Sequence, residues 1–367
     1  MSEDQLDTKE LSAGNSRASE KKLKVAAILA EFDDIIKQSK KDELGPFLKD
    51  KTPGYLTEMK KHLTGYRSNW LTFIELTDIM PSPYNEPRHF GVRANGTQKD
   101  MITLAAIVLL ERSQFRPWYS FISETIHHWS REPFILNLLR LCKPTGFAEV
   151  LVDMSTARTN ASTADFNLLV ELEKNAIISF QPQLFARSLA QFGISEARWN
   201  GSENVATLTS LRENKAITKK SLEEIFNYES PINDLNATRY SNSRKHWSRI
   251  MPTLIEEEFI DRGYVLENSI LAQTKDWDNQ IKTTFRDVVE SIAPNEDELV
   301  SIQSTIFSLL QYSHVHVVNF GIELCKKIYE HKDFDVSSFI TWAGPIFMRN
   351  DLKTSTKISL SILEHSA

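Results

Sequence analysis

Basic and aromatic residues form the group in this chain that is best suited to binding chemistry. The group is Arg239, Arg244, Lys245, Trp247 and Arg249. Lysine and arginine side chains contact phosphates, and aromatic rings stack on nucleic-acid bases. The group therefore indicates a basic patch for nucleic acid, although Trp247 fits equally well as a core anchor. The net charge of -6 argues against a chain devoted to nucleic-acid binding.

Histidine and cysteine residues show no arrangement that would hold a metal or activate a nucleophile. His127 and His128 are adjacent, so they point in different directions on a helix, and no HExxH or CxxC motif accompanies them. Cys142 has no histidine nearby in sequence, and Cys325 lies on an apolar stripe, so both are expected to be structural thiols. We predict no metal site and no cofactor.

Signatures of enzymes are also missing from the sequence. The glycine-rich motifs for dinucleotides and nucleotides do not occur, and neither does the GxSxG motif of hydrolases. The run Glu256 to Glu258 with Asp261 could bind a metal, but a solvated helix face is the favoured interpretation. We identify no catalytic residues, so the sequence favours a non-enzymatic role and leaves an unrecognised activity open.

Composition is that of a globular protein in a reducing compartment. The chain has 367 residues, of which 25% are charged, and only two cysteines. Two cysteines cannot form a disulfide framework, which favours a cytoplasmic location. The longest apolar run, Met101 to Leu110, is shorter than the roughly 20 residues that span a membrane. No membrane association is expected.

Apolar spacing predicts an all-α protein. Residues 1–19 are polar and predict a disordered tail, followed by an N-terminal helical region, 20–96. That region includes a helix from Asn69 to Ile79 and an irregular loop from Met80 to Gly96. A central helical region is predicted over 97–228, and a second loop over 229–244 separates it from a C-terminal repeat region, 245–367.

The C-terminal region contains two copies of one helical hairpin, from Glu298 to His331 and from Val336 to His365. A shift of about 38 residues superposes their apolar positions, a period close to that of HEAT and armadillo repeats. Asn295 and the acidic residues that follow it predict the start of the first hairpin. The superposed pairs are Ile302 with Ile340, Leu309 with Phe347, Leu310 with Met348, Phe320 with Ile358, Ile322 with Leu360, and Leu324 with Ile362.

Such a hairpin cannot bury its apolar stripe alone and needs a neighbour on each side. The pattern therefore predicts an α-solenoid of stacked hairpins, HEAT- or armadillo-like. Leu360 and Leu363 remain apolar close to Ala367, where no polar capping helix follows. We expect this edge to be covered by an earlier segment or by a partner, or to belong to a longer array.

A series of landmarks in the same region resembles a bacterial family of unknown function that is built from HEAT-like helical repeats. The landmarks are Trp247, Ile260-Asp261-Arg262, Val265-Leu266, Ile270-Leu271, Phe285, Pro294 with Glu298, and Leu309-Leu310. Members of that family are often encoded beside SWIM zinc-finger proteins, AAA-type ATPases or von Willebrand-type proteins. The resemblance implies a bacterial cytoplasmic scaffold whose partner is a protein, such as a gene-cluster neighbour, and it brings no catalytic residues.

Two functions follow as hypotheses. The leading one is a non-enzymatic scaffold or protein–protein interaction module, because stacked hairpins expose an extended concave surface. The alternative is a helical-repeat protein that binds nucleic acid in a basic groove. The two differ in where the group around Trp247 lies, since only an exposed ring can stack on a base.

Overall fold

The computed structural model of the chain describes most of its residues. These are residues 4–68, 72–73, 79–80, 88–89, 92–126, 129, 132–156, 165–200, 205–230, 232 and 246–366. Contacts between α-carbons divide the chain into two compact units, Met1–Gln181 and Pro182–Ala367. This division lies inside the region 97–228 that the sequence groups together.

The all-α class is confirmed, because every described element is helical apart from two isolated pairs of two-residue strands. In the first unit the helices are α1 Asp4–Lys37, α2 Lys41–Pro46, α3 Leu56–Ser68, α4 Gly96–Leu109, α5 Tyr119–Thr125, α6 Pro133–Cys142, α7 Phe147–Thr156 and α8 Phe166–Lys174. A π-helical turn, Phe47–Lys51, and three 3₁₀ turns, Pro53–Tyr55, Arg112–Gln114 and Arg116–Trp118, join them. Both antiparallel strand pairs lie between α3 and α4: Thr72–Phe73 with Val92–Arg93, and Ile79–Met80 with Arg88–His89.

The second unit consists of helices and short 3₁₀ turns in its described residues. The helices are α9 Pro182–Asn200, α10 Val205–Glu213, α11 Lys215–Ile225, α12 His246–Glu256, α13 Arg262–Leu271, α14 Asn279–Ile292, α15 Glu296–Ser301, α16 Gln303–Ser308, α17 Val315–Ile328, α18 Val336–Ala343 and α19 Lys353–Ser366. The 3₁₀ turns are Ala272–Thr274, Leu309–Gln311, Gly344–Met348 and Asn350–Leu352. None of the helices described in either unit combines the length and hydropathy that crossing a bilayer requires.

Two local predictions differ from the structure. Helix α1 begins at Asp4, whereas residues 1–19 are predicted to be disordered. The Glu, Leu and Ala residues of this stretch favour helix, which its polar composition does not reveal. The predicted helix from Asn69 to Ile79 is wrong where the structure describes it. Thr72–Phe73 is a strand, and Ile79 begins the strand Ile79–Met80. Aromatic and β-branched residues favour strands, and short apolar runs do not distinguish the two structures.

Side chains at the helix starts satisfy backbone N–H groups that have no partner within the helix. The side chain of Asn295 accepts a hydrogen bond from the backbone of Glu298, whose carboxylate accepts one from the backbone of Asn295 in return. This capping box confirms the predicted start of the first hairpin. Asp335 caps α18 by accepting from the backbone N–H of Ser338 at 2.9 Å.

Successive hairpins of the second unit are joined by side-chain hydrogen bonds at a regular sequence separation. The hydroxyl of Thr305 donates to the Glu267 carboxylate, and that of Tyr312 donates to the carbonyl of Thr274, both across 38 residues. Ser355 donates to the side chain of Asn319 across 36 residues. The first bond connects α13 with α16, the second connects the turns that follow these two helices, and the third connects α17 with α19.

Aromatic packing links α16 to α18 in the core of this unit. The ring centroid of Phe307 lies 5.6 Å from that of Phe334 and 5.9 Å from that of Phe339. Phe334 and Phe339 are themselves 5.6 Å apart. Rings at such separations, tilted or edge-on, stabilise a core beyond their area of burial. Cys325 is fully buried in the same cluster, and burial raises the pKa of its thiol, as expected for a structural cysteine.

A close helix contact is made at Gly321 in α17. A Cβ added to this glycine would lie 2.9 Å from Cβ of Leu309 and 3.1 Å from Cδ2 of Leu310. Both leucines are buried in the 3₁₀ turn that ends the preceding helix. The absence of a side chain at Gly321 therefore allows α17 to approach that turn closely.

We expect Gly321→Ala to lower the free energy of unfolding by about 1–3 kcal/mol, because the added methyl group overpacks a rigid contact. Urea-induced unfolding followed by circular dichroism measures the effect. Gly344→Ala is the matched control in the same unit: an added Cβ there meets no atom within 4 Å. The control should be neutral or stabilise by about 0.4–1 kcal/mol. Equal losses in both variants would contradict the close contact.

Arg262 in α13 forms an ion pair with Glu298 in α15 and not with Asp261, its neighbour in sequence. Asp261 caps α13 by accepting a hydrogen bond from the backbone N–H of Tyr264 at 2.7 Å. The Arg262 guanidinium donates to both oxygens of Glu298 and, at 3.1 Å, to the carbonyl of Ile292. These bonds lower the pKa of the Glu298 carboxyl.

Because the folded pKa of Glu298 is lowered, its charge stabilises the fold above the ordinary glutamate pKa of about 4.3 and loses this effect as the pH falls towards the lowered value. We expect Glu298→Gln, which keeps a capping-box residue, to cost about 0.5–1 kcal/mol near neutral pH. Urea titrations at neutral pH and at successively lower pH should show the two proteins converging in acid. A difference that grows with acidity would contradict the ion pair.

Candidate functional site

The group predicted to bind nucleic acid is only partly described. Trp247 is 1% exposed in α12, and its indole Nε1 donates to the carbonyl of Ala190 at 2.9 Å. A ring held in this way packs in the core and presents no face to a base. Arg249 is exposed on the same helix. The remaining members, Arg239, Arg244 and Lys245, lie outside the described residues, as do His127 and His128.

The acidic run after α12 is engaged in ion pairing. Arg212 donates through Nε to the Glu257 carboxylate at 2.9 Å, and Lys215 donates to the Glu257 carbonyl at 2.8 Å. The Arg212 hydrogen bond lowers the pKa of Glu257. In the part of the chain that the structure describes, no three His, Cys, Asp or Glu side chains come close enough to hold a metal ion. The run is thus a helix end that is tied to a neighbouring helix.

The strongest candidate for a binding surface is the outer side of the last hairpin, formed by α18, the turn Gly344–Met348 and α19. Residues related by the 38-residue shift differ sharply in exposure. Leu310 is 1% exposed, while Met348 is 87% exposed. Ile322 is fully buried, while Leu360 is 47% exposed. Equivalent positions are therefore core in the first hairpin and surface in the second.

Other equivalent positions keep the same burial in both hairpins. Leu324 and Ile362 are each 2% exposed. The second hairpin thus has buried positions that belong to the same core cluster as the first, and other apolar positions that are uncovered in the described structure. We call the surface formed by these uncovered residues the end face. Its exposed apolar members are Ile340, Phe347, Met348 and Leu360.

Charged residues border the end face on α19. Lys353, Lys357 and Leu360 share one stripe of the helix, at spacings of four and three. Both lysines are exposed, and among the described residues neither has an acidic partner within an ion-pair distance. The same stripe continues to the exposed Glu364, so α19 carries two cations towards its start and one carboxylate towards its end beside these apolar side chains.

Arg349 shows how one hairpin is fastened to the next. Its guanidinium donates to the carbonyl of Tyr312 at 2.8 Å and to that of Ser313 at 2.7 Å, in the turn of the preceding hairpin. Asp351 holds the same guanidinium at 2.8 Å. Sequence reasoning does not identify this role, although an arginine in a turn one repeat beyond a Tyr-Ser turn is a signal that could have indicated it.

The comparison with protein families bears out a family of unknown function. A family model described as Domain of unknown function (DUF6493) matches residues 26–354. The chain belongs to this family. The match covers both units and most of the chain, whereas the landmarks in the sequence cover only the C-terminal region. No curated protein and no solved structure matches the DUF6493 chain.

We expect the end face of the DUF6493 chain to tolerate truncation that its buried counterpart does not. Leu310→Ala removes a core side chain and should cost about 2–5 kcal/mol of unfolding free energy. Met348→Ala, at the equivalent exposed position, should change stability by no more than about 0.5 kcal/mol. Parallel urea titrations compare the two variants. A large loss for Met348→Ala that depends on protein concentration would show that the face is covered by a second copy.

Proposed function

We propose that this DUF6493 chain is a non-enzymatic scaffold of HEAT-like helical repeats that binds a partner protein through the end face. The observation that carries the proposal is the exposure of Met348 and Leu360 at positions whose counterparts in the first hairpin, Leu310 and Ile322, are buried. Because these exposed positions match positions that are buried in the first hairpin, we expect the partner to cover them with a helical hairpin of its own.

The chemistry of the end face indicates what the partner presents. Its apolar centre calls for an amphipathic helical hairpin with an apolar stripe, because exposed apolar side chains clustered on one surface mark binding sites. Lys353 and Lys357 call for acidic residues beside that stripe, since opposite charges favour association and fix orientation. The partner is thus a helical protein, such as one encoded beside this gene, rather than a small molecule.

Several observations support the repeat architecture within this proposal. The hydrogen bonds from α13 to α16 and from α17 to α19 recur at separations of 36 to 38 residues, which is close to the period of the apolar pattern. Two free thiols, Cys142 and Cys325, agree with a reducing compartment such as the bacterial cytoplasm. The alternative, nucleic-acid binding, loses its stacking residue because Trp247 is buried.

Site-specific photo-cross-linking tests the proposal. A photoreactive benzoylphenylalanine replaces Met348 or Leu360 in the full chain, and the same group at Glu323, exposed on α17, serves as the control. In cells of the source organism, we expect positions 348 and 360 to cross-link the same protein, and mass spectrometry should place the cross-links in an amphipathic helical hairpin. The control position should not capture this protein.

Charge reversal distinguishes the proposed partner from other occupants. Lys353→Glu with Lys357→Glu should abolish the cross-links at position 348 without changing the unfolding transition, because both side chains are exposed. If the chain cross-linked to another copy of itself, the occupant of the end face would be a second copy and not a different protein. Nuclease-sensitive products that disappear at high salt would instead support the nucleic-acid alternative.

A further inference from the structure

A polar cleft in the first unit lies between α3 and the two 3₁₀ turns that follow α4. Its volume is about 490 Å³, and its lining residues are Thr57, Lys60, Lys61, Thr64, Arg67, Leu110, Gln114, Pro117 and Trp118. This volume lies within the range of about 300–1,000 Å³ that is typical of small-molecule sites. The cleft is formed by the first unit alone and has no part in the end face.

One wall of the cleft is a stripe of hydrogen-bond donors on α3. Thr57, Lys60, Thr64 and Arg67 recur at spacings of three and four, so they lie on one side of the helix. Lys61 lines the same wall. Among the described residues, neither Lys61 nor Arg67 has a carboxylate partner, and Arg67 is partly buried. The wall therefore offers several N–H and O–H groups and no acidic side chain.

Glu111, which follows α4, pairs with this wall. Its carboxylate lies 2.7 Å from Nζ of Lys60 and is mostly exposed. The Lys60 hydrogen bond lowers the pKa of Glu111, so Glu111 is ionised at neutral pH. The residues that line the cleft include Lys60, Lys61 and Arg67 and no carboxylate, so the lining is positive, although the chain as a whole carries a charge of -6.

The opposite wall of the cleft is mainly apolar. Leu110, Pro117 and Trp118 line it, with Gln114 as the polar member. Trp118 is 2% exposed, so the ring is held rigidly in place. An apolar wall across from a donor-rich wall suits a ligand with an organic body and an anionic head.

We propose that this cleft binds a small organic phosphate. The Thr64 hydroxyl donates to the carbonyl of Lys60 at 3.0 Å. The three cations and the Thr57 hydroxyl still supply more donors than the two oxygens of one carboxylate accept, whereas a phosphate ester presents three terminal oxygens and up to two charges. Arg67 engages two of these oxygens through its planar fork, and Lys61 adds a point charge. The organic part of the ligand lies against Leu110 and Pro117.

Isothermal titration calorimetry of the full chain at low salt tests the site, with phenyl phosphate, inorganic phosphate and phenol as probes. We expect saturable binding of phenyl phosphate, weaker binding of inorganic phosphate and no binding of phenol. Arg67→Gln should weaken phenyl phosphate binding by about tenfold or more, since it removes a charge-assisted bond. Lys326→Gln, an exposed position on α17, is the matched control and should leave the affinity unchanged.

Glu111→Gln gives a second test with the opposite sign. Removal of this carboxylate frees Lys60 from its ion pair and removes a negative charge that would repel the phosphate. Phenyl phosphate should therefore bind several-fold more tightly to Glu111→Gln than to the unaltered chain. Circular dichroism verifies that each variant is folded. Absence of saturable binding, equal losses in Arg67→Gln and Lys326→Gln, or weaker binding to Glu111→Gln would overturn the proposal. If a short single-stranded oligonucleotide displaced phenyl phosphate at a lower concentration than that of phenyl phosphate itself, the ligand of the cleft would be a nucleic-acid backbone and not a small organic phosphate.

Discussion

Two amphipathic helices joined by a short turn bury only part of their apolar surface against each other, so a further element must cover the rest. In the second unit, Phe339 in α18 packs on Phe307 in α16 and so covers part of the first hairpin. Gly321 lets α17 approach the turn of its own hairpin, and Arg349 fastens the following hairpin to the carbonyls of Tyr312 and Ser313. Apolar packing and these hydrogen bonds act at the same turn, residues 309–313, so together they fix the position of the last hairpin against the one before it.

The same constraint accounts for the end face. Apolar side chains that stabilise the first hairpin when covered, such as Leu310, have exposed counterparts such as Met348 in the second. Their exposure brings no folding free energy, because the hydrophobic effect requires removal of surface from water. A surface of this kind is available for association, and the adjacent Lys353 and Lys357 restrict which partners it accepts.

The first unit carries a different kind of surface. One side of α3 carries a stripe of hydrogen-bond donors. The cleft beside it therefore has a positive, polar wall on α3 and an opposite wall that is mainly apolar. The proposed ligands of the two units differ accordingly: a helical partner for the second unit and a small organic phosphate for the first.

Local periodicity and capping residues in the sequence determined the helical class and the helix start at Asn295, because these depend on residues a few positions apart. Trp247 was ambiguous for the same reason, since nothing local distinguishes a ring packed against Ala190 from one that stacks on a base. Likewise, the pattern placed Leu310 and Met348 on one stripe and could not say which of them is covered. Only the tertiary structure decided exposure, the partner of Arg262 and the donor-rich cleft, because each depends on segments far apart in sequence that meet only in the folded chain.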